Sequence, residues 1–287
     1  MNSRTWLNLG LLILAGALVI VSVYLPGVKK TAPLPALTSL TPAAVTSIRI
    51  ERTAQPAIAL KKEASGWRLT EPLQLPANTV VVESLLGLTQ AASHAQWVAA
   101  SLDLEKFKLK APRIRMRLND VELGFGDTDP LEGRRYVLTG NTVHLINDGY
   151  YPKLIAPPAS FASLALLPDS ARLEQIELPG LTLTRDAQGW SAQPGASPDA
   201  VNTLVQEWTA AQALQVRPYS VPMSQDKPPE TVTVRQGGAL LRFIIVSRAP
   251  ELILARPEIG VQYHLPQDAA QRLLMMPADE PADKSSP

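Results

Sequence analysis

The sequence predicts an α+β body behind an N-terminal transmembrane helix, the body being two tandem copies of an antiparallel-sheet-plus-helix unit. Three observations predict it: an uncharged apolar run from Trp6 to Leu25, a proline-punctuated stretch behind it, and an order of strands and one helix that occurs twice between Val45 and Pro277. Composition permits such a body. The 287 residues are 46% hydrophobic, enough for a buried core, and their formal net charge is +1. A chain so near neutrality lacks the basic footprint of general nucleic-acid binding. Cys 0 excludes disulfides, thiolate nucleophiles and cysteine-ligated metal clusters.

Residues 1–25 form the expected membrane anchor. Trp6 to Leu25 reads WLNLGLLILAGALVIVSVYL, without a charge. A helix of that length spans about 30 Å, the thickness of a hydrocarbon core. Trp6 and Tyr24 mark its ends, where amphipathic rings favour the headgroups. A cleaved signal peptide would have a run of about 7–15 apolar residues and a small-x-small site. Here the run is longer and leads into Tyr24-Leu25-Pro26-Gly27. An uncleaved single-pass anchor is expected, held by the lipid bilayer through residues 6–25. Arg4 and the terminal amine on one side nearly balance Lys29 and Lys30 on the other. The short leading tail then favours a cytoplasmic N-terminus and an exported body.

Residues 26–44 carry Pro26, Pro33, Pro35 and Pro42 and read as an extended linker. Residues 45–164 and 165–277 are the two copies, and residues 278–287 a polar disordered tail. Val45-Thr46-Ser47-Ile48-Arg49-Ile50 in the first copy answers to Leu173-Glu174-Gln175-Ile176-Glu177-Leu178 in the second. Ile58 to Lys61 answers to Leu181 to Thr184, and Gly66-Trp67 to Gly189-Trp190. Each Gly-Trp should open a strand whose indole covers the helix. The helix follows in both. Asn78 caps it ahead of Val81, Leu85 and Leu88; Ser197 and Pro198 open it ahead of Val201, Leu204, Val205 and Trp208. Two hairpins then close each copy. Asn119-Asp120 and Gly237-Gly238 supply equivalent two-residue turns, and Met116 to Phe125 has the same spacing as Val234 to Phe243. Each sheet should be solvated on one face and packed by its helix on the other.

His144 and His264 fall in matching hairpins and read as strand residues, while His94 reads as exposed. HExxH, Walker A and GxSxG patterns are absent, and Gly124-Phe125-Gly126 lies within a hairpin rather than between strand and helix. Asp127, Asp129 and Glu132 lack calcium-loop spacing and read as loop formers, with a carboxylate-based hydrolase as the remote alternative. The expectation is a non-enzymatic protein with no catalytic residue, metal or cofactor. The basic run is the one candidate site. Lys106, Lys108 and Lys110 alternate, and so do Arg113, Arg115 and Arg117. On a strand the three arginines share a face and could meet an anionic lipid or glycan, unless Glu122 across the hairpin neutralises them.

Gly66-Trp67-Arg68-Leu69 with Pro72, Leu85-Leu86 and Leu88, Leu104 through Pro112, Leu123-Gly124-Phe125-Gly126, Pro130 and Arg134-Arg135-Tyr136-Val137 together resemble the DUF4340 family of bacterial membrane-anchored proteins. The resemblance covers most of residues 45–277. It implies one N-terminal membrane helix and a repeated α+β body, and a link in some members to gliding-type or ABC-type export systems. It supplies no catalytic residues. The expectation is an inner-membrane protein with a periplasmic body, acting as an interaction or accessory module of an envelope transport or assembly system. Its expected partners are membrane proteins, an ABC-type exporter among them.

Overall fold

The computed structural model describes residues 3–24, 33–168, 172–221 and 228–277. The chain divides into an N-terminal unit, Met1–Pro35, and a body, Ala36–Pro287. The N-terminal unit holds one helix, α1 (Ser3–Tyr24), on which Trp6, Leu12 and Ile13 are exposed. Among the described residues no helix is long and apolar enough to cross a membrane. The span expected over 6–25 falls only partly within them, and the tail over 278–287 lies outside them.

In the first copy β1 (Ser47–Arg52), β2 (Gln55–Glu63), β3 (Gly66–Glu71) and β4 (Leu75–Pro76) lead to α2 (Thr79–Leu86). Then come β5 (Ala95–Val98), β6 (Ile114–Leu118), β7 (Val121–Thr128), β8 (Arg135–Thr139), β9 (Thr142–Ile146) and α3 (Tyr151–Leu154). The second copy runs β10 (Leu173–Leu178), β11 (Leu181–Arg185), β12 (Trp190–Gln193), α4 (Pro198–Ala210) and β13 (Gln215–Pro218). It ends with β14 (Thr231–Gln236), β15 (Ala239–Ser247), β16 (Ile253–Arg256), β17 (Val261–His264) and α5 (Ala269–Leu274).

The first sheet has the order β4-β3-β2-β1-β6-β7-β8-β9-β5, and the second β12-β11-β10-β14-β15-β16-β17-β13. Without β4 the two orders are the same, strand for strand. Neighbouring strands in both sheets pair antiparallel, from β1 against β2 to β16 against β17. The body is therefore two antiparallel sheets with a few helices, mostly β. The helical share is smaller than an even α+β balance: α2 has 8 residues and α4 has 13.

Local chemistry sets this frame. Leu118 pairs with Val121 and Gln236 with Ala239, so both two-residue turns fall where expected. Their residues Asn119, Gly237 and Gly238 have φ of 51°, 57° and 78°, as primed turns require. Asn119 also ties down the start of β1. Its Oδ1 accepts from the Thr46 and Ser47 N–H groups, and its Nδ2 donates to the Ala44 carbonyl. The glycine of each Gly-Trp pair sits at positive φ, 117° at Gly66 and 135° at Gly189, which a side chain would strain. Asn78 and Ser197 cap α2 and α4 with their side chains. Of the expected stripe Val81, Leu85 and Leu88, Leu85 and Leu88 are fully buried, while Val81 is half-buried and its neighbour Val82 takes the inward place.

Each copy has its own core. Ile48, Ile50, Leu60, Leu69, Leu85 and Phe161 anchor the first; Ile176, Leu183, Leu204, Trp208, Phe243 and Leu254 anchor the second. Trp67 packs against the first core and Trp190 against the second, as expected of the Gly-Trp indoles. The connecting segment joins the two. Ala162 bridges Ala77, and Ala165 bridges Gln212. Leu75 of β4 is buried in the second copy's core, not the first. The copies also begin alike. Ala36 bridges Ala92 with Leu37 N–H donating to the Ala91 carbonyl, and Ala165 bridges Gln212 with Leu166 N–H donating to Ala211. Residues from Ala36 on, read from their prolines as spacer, thus lie against the first copy.

Candidate functional site

The arginine run lies on the outer face of the first sheet. β6 alternates buried and exposed, with Ile114, Met116 and Leu118 inward and Arg115 and Arg117 outward. Arg113 is exposed just before the strand. Glu122, on β7, stands against both neighbours, 3.7 Å from Arg115 Nε and 3.2 Å from Arg117. On β1, Arg49 sits opposite Arg117 and Glu51 opposite Arg115. The hydrogen bonds Arg49 makes to Glu51 and Glu71 raise its pKa above the ordinary arginine value. The stripe is thus a mixed ionic face with an excess of arginine. Lys106, Lys108 and Lys110 do not extend it, because their segment is a run of turns rather than a strand, with Lys108 at φ 57°.

That segment covers the rest of the face, so the outer face of the first sheet is not solvated throughout. Ala99, Leu109 and Val143 form a small outer core with Trp97, Leu102, Leu104, Phe107, Tyr136 and Leu138 against it. The Phe107 and Tyr136 rings lie 4.6 Å apart. The covering chain comes so close to β7 that only glycine fits beneath it. A Cβ on Gly124 would lie 3.1 Å from Pro112 Cγ, and one on Gly126 would overlap the Phe107 carbonyl. The Gly-Phe-Gly sequence is thereby explained: Phe125 fills the inner core and the glycines admit the cover. Burial, and the charge of Asp129, raise the Tyr136 pKa.

Arg135, beside it on β8, is buried and fully engaged. Its Nε and Nη2 reach the two oxygens of Asp148 at 2.5 and 2.9 Å, its Nη1 donates to the Gly126 carbonyl, and its guanidinium lies 3.5 Å over the Tyr151 ring. Asp129 accepts from the N–H groups of Leu131 and Glu132, and Glu132 pairs with Arg134. The acidic loop therefore shapes its own turn. Among the described residues no group of His, Asp and Glu could hold a metal ion.

The histidines are not equivalent, contrary to the matching read from sequence. His144 lies opposite Val137, a residue of the inner core, whereas His264 lies opposite Ile253, one position out of step with the core pair Leu254 and Tyr263. One residue of offset puts them on opposite faces of their sheets. The Ser93 hydroxyl donates to the Ala95 carbonyl, so His144 Nδ1–H donates to Ser93 Oγ at 3.0 Å. Burial lowers the His144 pKa. His264 Nδ1 meets Glu251 at 2.7 Å, and its Nε2 meets the Gln262 amide at 2.9 Å. His94, expected to be exposed, is half-buried, and its Nε2 has no partner among the described residues.

A cleft of about 460 Å³ runs between the two copies. Trp67, Arg68 and Leu75 line it from the first copy, Leu166 from the connector, and Arg256 and Tyr263 from the second. Glu258 balances Arg256 at 2.8 Å, while among the described residues Arg68 has a single 3.5 Å bond, to the Gln74 carbonyl. Burial raises the Tyr263 pKa, so the phenol is neutral. The sequence reading reached Trp67 through the repeat but missed Arg68, Arg256 and Tyr263, since nothing local marks residues that two copies bring together.

A family model described as "Domain of unknown function (DUF4340)" matches residues 67–233, from β3 into β14. No curated protein and no solved structure matches the chain.

Proposed function

We propose, for a chain that belongs to the DUF4340 family, that it is a single-pass, membrane-anchored interaction module and not an enzyme. The observation that carries the reading is α1, where Trp6, Leu12, Ile13 and Ile20 are each at least 60% exposed. A run of bare apolar side chains on a helix calls for an apolar cover, and the uncharged sequence from Trp6 to Leu25 suits lipid. The duplicated body then serves as a platform whose cleft and sheet edges meet other proteins. An inner-membrane location with the body in the periplasm, and an envelope transport or assembly system with an ABC-type exporter as host, extend this reading.

Carbonate washing of membranes and reporters fused after Pro287 test it. The full chain should stay with the washed membrane, and the reporter should be active only outside the cytoplasm. Purification in detergent should bring down membrane proteins in fixed ratio. Release by carbonate, or recovery of the bait alone, refutes the reading.

The arginine face favours a second reading, binding of an anionic lipid or glycan, because Arg113, Arg115 and Arg117 outnumber the Glu122 set against them. Charge reversal at Arg115 and Arg117 should then abolish binding to anionic vesicles, and added salt should weaken it.

A further inference from the structure

The two copies differ at one sheet edge. In the first, β4 pairs with β3, Arg68 opposite Pro76 and Leu69 opposite Leu75. Ala77 N–H donates to the Trp67 carbonyl at 2.9 Å, so the backbone groups of Trp67, and of Leu69 two residues on, face β4. In the second copy β12 is the last strand of its sheet, and among the described residues no strand lies beyond it. The sequence accounts for the difference. Residues 72–78 separate β3 from α2, but only residues 194–197 separate β12 from α4. Three residues are missing, enough to account for the two-residue β4 of the first copy.

Counted from the Gly-Trp turn, Leu183 opposite Ala192 answers to Leu60 opposite Leu69, and Trp190 answers to Trp67. The match is local to that hairpin: across the sheet Leu183 stands in line with Ile176 and Val234, where the first copy has Ile58, Ile50 and Met116. Leu69 is fully buried, whereas Ala192 is half-buried against the second core. Ser191 and Gln193 are exposed. The edge reads Trp-Ser-Ala-Gln, without the charge or internal proline that usually blunts a free strand.

We infer that the free edge of β12 is a strand-addition site for an extended segment of a partner protein with the pattern Leu-x-Leu-Pro. The first copy shows what fits, because residues 73–76 occupy the corresponding slot in cis. The incoming segment runs antiparallel to β12. It bonds to the backbone groups of Trp190 and Ala192 and lays a leucine beside Ala192. This deepens the interaction-module reading and rests on it.

The probe is a fluorescent peptide with the sequence of residues 71–78, EPLQLPAN, titrated against the full chain in detergent and followed by anisotropy. Two variants accompany it. Ala192→Pro removes an N–H on the free side, and insertion of Leu-Gln-Leu after Pro194 supplies the missing strand in cis. The wild-type chain should bind the peptide saturably, and each variant at least tenfold more weakly with its thermal midpoint unchanged. Absence of saturable binding, or binding that survives both variants, overturns the site. So does a β12-to-β12 dimer, revealed by disulfide cross-linking of a Ser191→Cys chain. Membrane partners that still co-purify in fixed ratio with Ala192→Pro also overturn the site, but leave the module reading standing.

Discussion

Gly126→Ala should loosen the outer face of the first sheet. The added Cβ would overlap the Phe107 carbonyl oxygen and stand 2.9 Å from Leu109 Cδ2. The first contact is backbone and cannot swing away. That carbonyl also accepts the Asp127 N–H at 3.0 Å, a bond lost if the cover lifts. Overpacking costs about 1–3 kcal/mol and the hydrogen bond about 1, so a loss of roughly 2–4 kcal/mol is expected. At about 2–4 °C per kcal/mol for a domain of this size, the thermal midpoint should fall by roughly 5–15 °C. Urea and thermal unfolding of the purified chain give the global figure. Emission from Trp97, which packs on the cover, reports the local one. Gly124→Ala meets only a proline side chain at 3.1 Å and should cost less, below about 1.5 kcal/mol. Gly149→Ala meets nothing within 4 Å and serves as the silent control. If Gly126→Ala is as stable as Gly149→Ala, with Trp97 emission unchanged, the cover does not rest on β7 and the account of the Gly-Phe-Gly sequence is wrong.

Other outcomes follow from named contacts. Trp208→Phe removes the indole bond to the Leu273 carbonyl, 2.8 Å long and fully buried, and should cost about 2–3 kcal/mol in chemical denaturation through a lost bond and a partial cavity. Asp148→Ala strands the guanidinium of Arg135, whose side chain is only 11% exposed, and should cost about 3 kcal/mol or more; full stability would mean that the pair is ornamental. Burial lowers the His144 pKa, so the folded state resists its protonation. Its contribution should be full above about pH 6.5, the ordinary unfolded value, and be lost as pH falls through the folded value. His144→Gln should flatten that part of the stability profile, and an unchanged profile would contradict the assignment. Glu122→Gln frees Arg115 and Arg117 and should strengthen any salt-sensitive vesicle binding, with little effect on the thermal midpoint.

What could be read from the sequence was whatever is local and periodic. The turns at Asn119-Asp120 and Gly237-Gly238, the caps at Asn78 and Ser197, and the Gly-Trp openings depend on a few neighbouring residues, and each lies where expected. The doubled order followed because the same local signals occur twice. What was missed depends on distant partners. β5 and β13 are four-residue strands, too short to announce themselves in sequence, held in place by β9 and β17 at the sheet margin. The lysines alternate like strand residues, but burial of Leu109 and Phe107 over the glycines bends their segment into turns. The two histidines looked equivalent because each precedes a leucine. Only the pairing register shows them one step apart.

The duplication divides labour between its halves, and the division can be argued from two positions. Where the first copy has Gly124 and Gly126, the shared spacing from the hairpin turn puts Arg242 and Ile244 in the second. Glycine lets the first copy bring its cover onto the sheet, while the larger side chains forbid so close an approach. Where the first copy spends residues 72–78 on a fourth strand, the second passes directly from β12 to α4. Both differences act in one direction. The first copy closes its outer face and its edge with its own chain, and directs Leu75 into its neighbour's core. The second keeps Leu240 more than half exposed and β12 unpaired among the described residues. A body that serves only as a spacer would gain nothing from closing one copy and leaving the other open. Under the docking role proposed above, the closed copy would be the rigid half and the copy with the free edge the receptive one.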